Sequence, residues 1–105
     1  MRTLEFVVEG QLLKKKTDCD FSNIVAGSVG YLRAKFYFSS EWWGCKKAAS
    51  FWLNDNEYSV LLDATGACVI PAEALTGERF LVSVAGARSD FKIKSTRTKV
   101  RQEVH

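Results

Sequence analysis

Apolar side chains in this chain recur at every second position, in short runs divided by turn residues. Nowhere do they hold helical spacing for 10–15 residues. The clearest run is Tyr31–Phe38. Leu32, Ala34, Phe36 and Phe38 line one face, and Tyr31, Arg33, Lys35 and Tyr37 line the other. A period of two is the signature of an extended strand with one face against a core and one toward water. Leu4, Phe6 and Val8 repeat the pattern before Gly10, and the chain resumes over Leu12–Lys16. Further strands are expected over Ala49–Leu53, Glu57–Asp63, Ala67–Ile70, Glu78–Ala85, Phe91–Lys94 and within Ser95–Val104.

Turn residues punctuate these runs. Asn54-Asp55-Asn56 and Ala64-Thr65-Gly66 are turn signals, because short polar side chains bond their own backbone and glycine accepts positive φ. Gly86 is expected to open another turn. Residues 17–30 read as a long loop, and Ser39–Lys47 as a connection. Pro71–Leu75 is the one helix-like piece, a single turn with proline at its start. A βαβ fold is disfavoured. The expected fold class is all-β: a small antiparallel β-sandwich, immunoglobulin-like or similar, with seven to nine short strands and one helical turn near residues 71–75. The turn after Ile70 suits the crossing from one sheet to the other. A small barrel is the alternative. At 105 residues the chain is expected to form one domain over residues 1–105.

The residues needed for common catalytic chemistries are sparse. The single histidine, His105, is the last residue, a poor place for a positioned base. Cys19, Cys45 and Cys68 are widely spaced with no CxxC, so free thiols are expected rather than a disulfide scaffold or a zinc site, with Cys68 buried. Asp18, Asp20 and Ser22 echo the start of a calcium loop, but Asn23 stands where glycine is required and Val29 where glutamate is required. Gly27–Gly30 and Val84–Ala87 lack the lysine and following helix of a phosphate loop. Glu57 and Asp63, six residues apart, read as solubilising charges. No catalytic residue, metal site or small-molecule cofactor is expected. No stretch reaches the roughly 18 apolar residues of a membrane span. Glu5 and Glu9 interrupt the start before a leader-like apolar run develops, so synthesis in the cytoplasm is expected.

Binding features are more promising. Trp42 and Trp43 are adjacent, so one can face the core while the other faces out, where it would suit a protein contact or a sugar ring. The net charge is +3, with net +4 in residues 88–105 and −1 in the rest. On the last strand Arg97, Lys99 and Arg101 alternate with Thr98, Val100 and Gln102, giving one basic face without an aromatic residue. That lack of a stacking platform disfavours nucleic acid as the partner. Tyr31, Arg33, Lys35 and Tyr37 mix charge and aromaticity on another face. The candidate contact residues are Tyr37, Trp42, Trp43, Arg97, Lys99 and Arg101.

The order of several short motifs carries a resemblance. Trp43-Gly44 is followed by Lys46-Lys47 and Phe51, then by Cys68-Val69-Ile70-Pro71, then by a strand closing in Val84-Ala85-Gly86, then by a basic Ser/Thr-rich strand. Across Tyr31–Val100, about two-thirds of the chain, this layout resembles the small β-sandwich adaptor domain at the start of tail and baseplate proteins of phages that infect Gram-positive bacteria. The resemblance implies a non-enzymatic structural or docking module, virion-associated, whose partners are other phage structural proteins or copies of itself. It also implies that the basic segment 88–105 leads into a further region of a longer protein. A ligand-binding sandwich for carbohydrate or single-stranded nucleic acid is the alternative reading.

Overall fold

The computed structural model describes all of residues 1–105. Nine strands form: Arg2–Glu9 (β1), Leu12–Lys15 (β2), Leu32–Phe38 (β3), Lys46–Leu53 (β4), Asn56–Leu61 (β5), Ala67–Val69 (β6), Arg79–Arg88 (β7), Phe91–Lys94 (β8) and Thr98–Arg101 (β9). Two short 3₁₀ turns, Ser40–Trp42 and Ala72–Leu75, are the only helical pieces. No helix is long and apolar enough to cross a membrane.

The strands divide into two sheets, in the orders β2-β1-β3-β6 and β5-β4-β7-β8, with β9 also paired to β7. Alternation places Leu4, Phe6 and Val8 of β1 and Leu32, Ala34 and Phe36 of β3 on the inner face of the first sheet. Ala49 and Phe51 of β4 and Phe80, Val82 and Val84 of β7 face them from the second. The expected sandwich is present. The chain crosses between sheets after Ile70, through the 3₁₀ turn that buries Ala74 and Leu75.

One pairing departs from the all-antiparallel expectation. β1 and β3 run parallel, in register from Arg2–Leu32 to Val8–Phe38, so the first sheet is mixed. Parallel neighbours need a connection long enough to return the chain to the starting end of the sheet. After β2, the loop of residues 17–30 supplies it. This loop has no strand, as expected, but it is tied down. The Arg2 guanidinium donates to the carbonyls of Asp20 (2.9 Å), Ser22 (2.6 Å) and Asn23 (3.1 Å). Ile24 is buried, and the Phe21 ring meets Phe6 edge-on at 5.5 Å. Val25 bridges to Glu103, so the C-terminal segment clamps the loop from the other side.

One seam of the sandwich is closed. Thr96 N–H donates to the Gln11 carbonyl (2.7 Å), Leu13 N–H to Thr96 Oγ1 (3.1 Å) and Thr98 Oγ1 to the Leu13 carbonyl (2.5 Å). These bonds join β2 to the junction of β8 and β9. The opposite seam, bounded by β5 and β6, carries only the turn between those strands.

Gly86 does not open a turn. It lies inside β7, and the reversal falls at Ser89-Asp90, where Ser89 takes a φ of 42°. The reason is Trp42. A Cβ at Gly86 would lie 2.9 Å from the Trp42 ring and 3.1 Å from Cys45 Cβ. Gly86→Ala is therefore expected to destabilise the fold by about 1–3 kcal/mol, the range for overpacking a full core. Thermal unfolding with Ala85→Gly as the neighbouring control checks this. A melting temperature unchanged by Gly86→Ala would show that the indole does not rest there.

Candidate functional site

The connection from β3 to β4 sets out the site. Its 3₁₀ turn places Trp42 inward and Trp43 outward. Trp42 is fully buried, its Nε1–H donates to the Gly10 carbonyl at 2.7 Å, and its ring packs on Phe38 at 5.2 Å between centroids. Trp42 is thus a core residue and leaves the set of expected contact residues. Trp43 is 68 % exposed. The expected split of the pair is observed, but its cause is the turn rather than an extended backbone. Arg88, at the end of β7, fixes the turn from outside. Its guanidinium donates to the Trp43 carbonyl (2.8 Å), the Glu41 carbonyl (3.1 Å) and Cys45 Sγ (3.2 Å). Nothing in the sequence marked Arg88 for this role, because its partners are backbone carbonyls more than 40 residues away.

Trp43 stands at the mouth of a cleft of about 600 Å³ in the open seam. The walls come from the end of β3, the start of β4, the end of β5 and the turn at residues 63–66. Phe36 and Phe38 close its floor, while Leu61, 75 % exposed, and Tyr37, 42 % exposed, stand on its rim. β6 pairs with Arg33–Lys35 of β3, and beyond it the Phe36 N–H donates to the Gly66 carbonyl (2.9 Å) of the turn. Three lysines surround the opening. Lys47 lies over the Phe38 ring at 5.2 Å, Lys35 over the Tyr37 ring at 5.4 Å, and Lys46 is exposed. Lys35 also donates to the Thr65 carbonyl.

Asp63 builds the far lip. Its Oδ1 accepts from Thr65 N–H (2.8 Å), Thr65 Oγ1 (2.6 Å) and Ala67 N–H (3.1 Å), and Arg33 lies 3.7 Å from its other oxygen. The Thr65 hydroxyl, backbone N–H groups and Arg33 hold its carboxyl below the ordinary aspartate range. The carboxylate therefore organises a turn rather than standing free. Gly66 completes that turn at φ +82°, where a Cβ would strike the Phe36 carbonyl at 2.8 Å.

The other expected residues lie elsewhere. Arg97, Lys99 and Arg101 are exposed on the outer surface of the second sheet, away from the cleft. Arg97 precedes β9, and its guanidinium stacks on the Trp52 ring at 3.8 Å. The Tyr37 face of the first sheet is largely self-paired: Tyr37 donates to Glu5 Oε2 (2.5 Å), Lys14 pairs with Glu9 (2.8 Å) and Arg33 with Asp63. Glu5 raises the Tyr37 hydroxyl above its ordinary range, so it stays protonated. Glu57 accepts from Ser50 (2.6 Å) and Ser59 (3.3 Å).

All three cysteines are free thiols. Burial first, and the Asp63 carboxylate second, push Cys68 up to about 12. Asp20 is spent on Ser22 and Asp18 on Lys16, and no three His, Cys, Asp or Glu side chains converge as a potential metal site. Comparison with protein-family models, curated proteins and solved structures returned no match.

The depressed carboxyl of Asp63 predicts a pH response. A group whose folded pKa lies below its unfolded one contributes stability that is full above the unfolded value and is lost as pH falls through the folded value. The 63–66 turn should loosen only on the acid side of the ordinary aspartate range. Asp63→Asn should remove that acid-side dependence. Amide shifts of Thr65 and Ala67 followed by NMR against pH check it, and identical titrations in both proteins would contradict it.

Proposed function

We propose that this chain is a non-enzymatic contact module, a structural or adaptor domain of a phage or prophage particle. It binds a partner protein, or a further copy of itself, at the open seam. The observation that carries the contact reading is the pairing of exposed Trp43 and Leu61 at the mouth of a preformed cleft. Two large apolar side chains held outward beside a cleft gain free energy when a partner covers them. Tryptophan is also the residue type most enriched at interface anchors. Three lysines around the opening favour a partner segment with an apolar side chain flanked by carboxylates, since complementary charge sets register and excludes wrong partners.

The particle assignment is supported by the motif order alone. Trp43, Lys46 and Lys47, which open that order, all line the cleft. The segment Cys68–Pro71 ends β6 and leads into the crossing between the sheets.

Light scattering after size exclusion tests this, at two protein concentrations and two salt levels, alone and with candidate particle proteins. The expected species is heavier than the 11.8 kDa monomer. Trp43→Ala should disperse it while changing stability by less than about 0.5 kcal/mol, as for an exposed side chain. A monomer in every mixture would overturn the proposal. So would a Trp43→Ala protein that melts earlier but associates as before.

A further inference from the structure

The outer face of the second sheet carries charge without compensation. Inward-facing Phe80, Val82 and Val100 turn Arg79, Lys99 and Arg101 outward, and β8 adds Lys92 and Lys94. None of these five joins any of the molecule's four ion pairs. Arg79 stands directly opposite Arg101 in the β7–β9 ladder. A like-charge pair at facing positions is destabilising by itself and is relieved by a bound anion. Glu57 on the edge strand β5 stands opposite Trp52 in the β4–β5 ladder, and its carboxylate accepts two serine hydroxyls.

An aromatic platform lies among these cations. Trp52, on β4, donates its indole N–H to Ser83 on β7 at 3.0 Å, which fixes the ring across the two strands. The Arg97 guanidinium covers it at 3.8 Å. Such a stacked pair presents a flat cationic surface of the kind on which nucleobases stack.

We propose that this face binds single-stranded nucleic acid. Phosphates sit on Lys94, Lys99 and Arg101, and a base stacks on the Trp52–Arg97 pair. Basic residues two apart on a strand are about 7 Å apart, on the scale of successive phosphates in an extended single strand. The face is a sheet surface with no helix to enter a duplex groove, and single strands lie on such surfaces. An acidic protein would match the charge but would make no use of the stacked platform. The basic terminal strand alone lacked an aromatic neighbour, and the fold supplies one from β4, more than 40 residues earlier. Lys94 shares a shallow depression with Lys46, Lys47 and Leu61 of the cleft rim. The Trp52–Arg97 pair, Lys99 and Arg101 do not line the cleft, so Trp43→Ala and the basic-face variants distinguish the two readings.

Fluorescence anisotropy of a labelled oligothymidylate, titrated with the full chain, tests the proposal. Binding at low salt should weaken as salt rises, with a log–log slope of about −2 for three phosphate contacts. Lys94→Glu with Lys99→Glu should lower affinity by about tenfold or more at low salt. Arg97→Gln should weaken binding to mixed-sequence strands, and Trp43→Ala should leave binding intact. Circular dichroism confirms that each variant is folded. The proposal is overturned by no binding at low salt, or by Lys94→Glu with Lys99→Glu binding as the parent does. It is also overturned if polyglutamate, anionic vesicles or a duplex of equal length binds as well as the single strand.

Discussion

Trp42 against Gly86 is the contact on which the arrangement at the open seam depends. The indole fills space that any side chain at position 86 would occupy, and its N–H meets the Gly10 carbonyl at the end of β1. One side chain thereby ties the β1–β2 turn of the first sheet to β7 of the second. Removing a buried tryptophan of this kind costs about 3–5 kcal/mol, a large share of the roughly 5–15 kcal/mol that holds a domain folded. The same anchor fixes the start of the next residue. Trp43 points outward because Trp42 is locked inward and Arg88 holds the carbonyls of Glu41 and Trp43.

The strand pattern was legible because burial imposes a period of two. The inward sets of β1, β3 and β7 follow directly from alternation, as does the inward turn of Val100 and Gln102 beside Lys99 and Arg101. Pairing partners were not legible. Nothing local to β1 or β3 states that they lie parallel, since that depends on where a long loop returns the chain. Gly86 misled for a related reason. Glycine marks a turn in local terms, whereas here it marks the close approach of a ring more than 40 residues away. The candidate site was half visible. Trp43 and Tyr37 stand on the rim of the cleft, but Leu61, Lys46 and Arg88 joined them only through tertiary placement. Trp42 can be buried because the Gly10 carbonyl of the β1–β2 turn accepts from its indole N–H.

The two outer sheet surfaces differ in how their charges are satisfied. On the first sheet, Glu9 and Asp63 pair with Lys14 and Arg33, and Glu5 accepts a hydrogen bond from the Tyr37 hydroxyl. On the second, lysines and arginines from β7, β8 and β9 gather with little opposing charge. The C-terminal excess of positive charge in the sequence is therefore only part of a larger basic surface, completed by residues such as Arg79. Between these surfaces, the open seam holds the exposed apolar pair. A sandwich closed along one seam and open along the other sets Trp43 at the mouth of a cleft and leaves the basic residues on the outer face of the second sheet.

The most direct test of this account is hydrogen exchange at the three tryptophan indoles, followed by NMR. The account predicts that the Trp42 indole proton exchanges only through global unfolding, because it is buried and bonded to Gly10. The Trp43 indole proton should exchange at the rate of an exposed side chain, with Trp52, bonded to Ser83 under Arg97, between them. Equal protection of Trp42 and Trp43, or fast exchange at Trp42, would contradict the division of the pair between core and exposed surface.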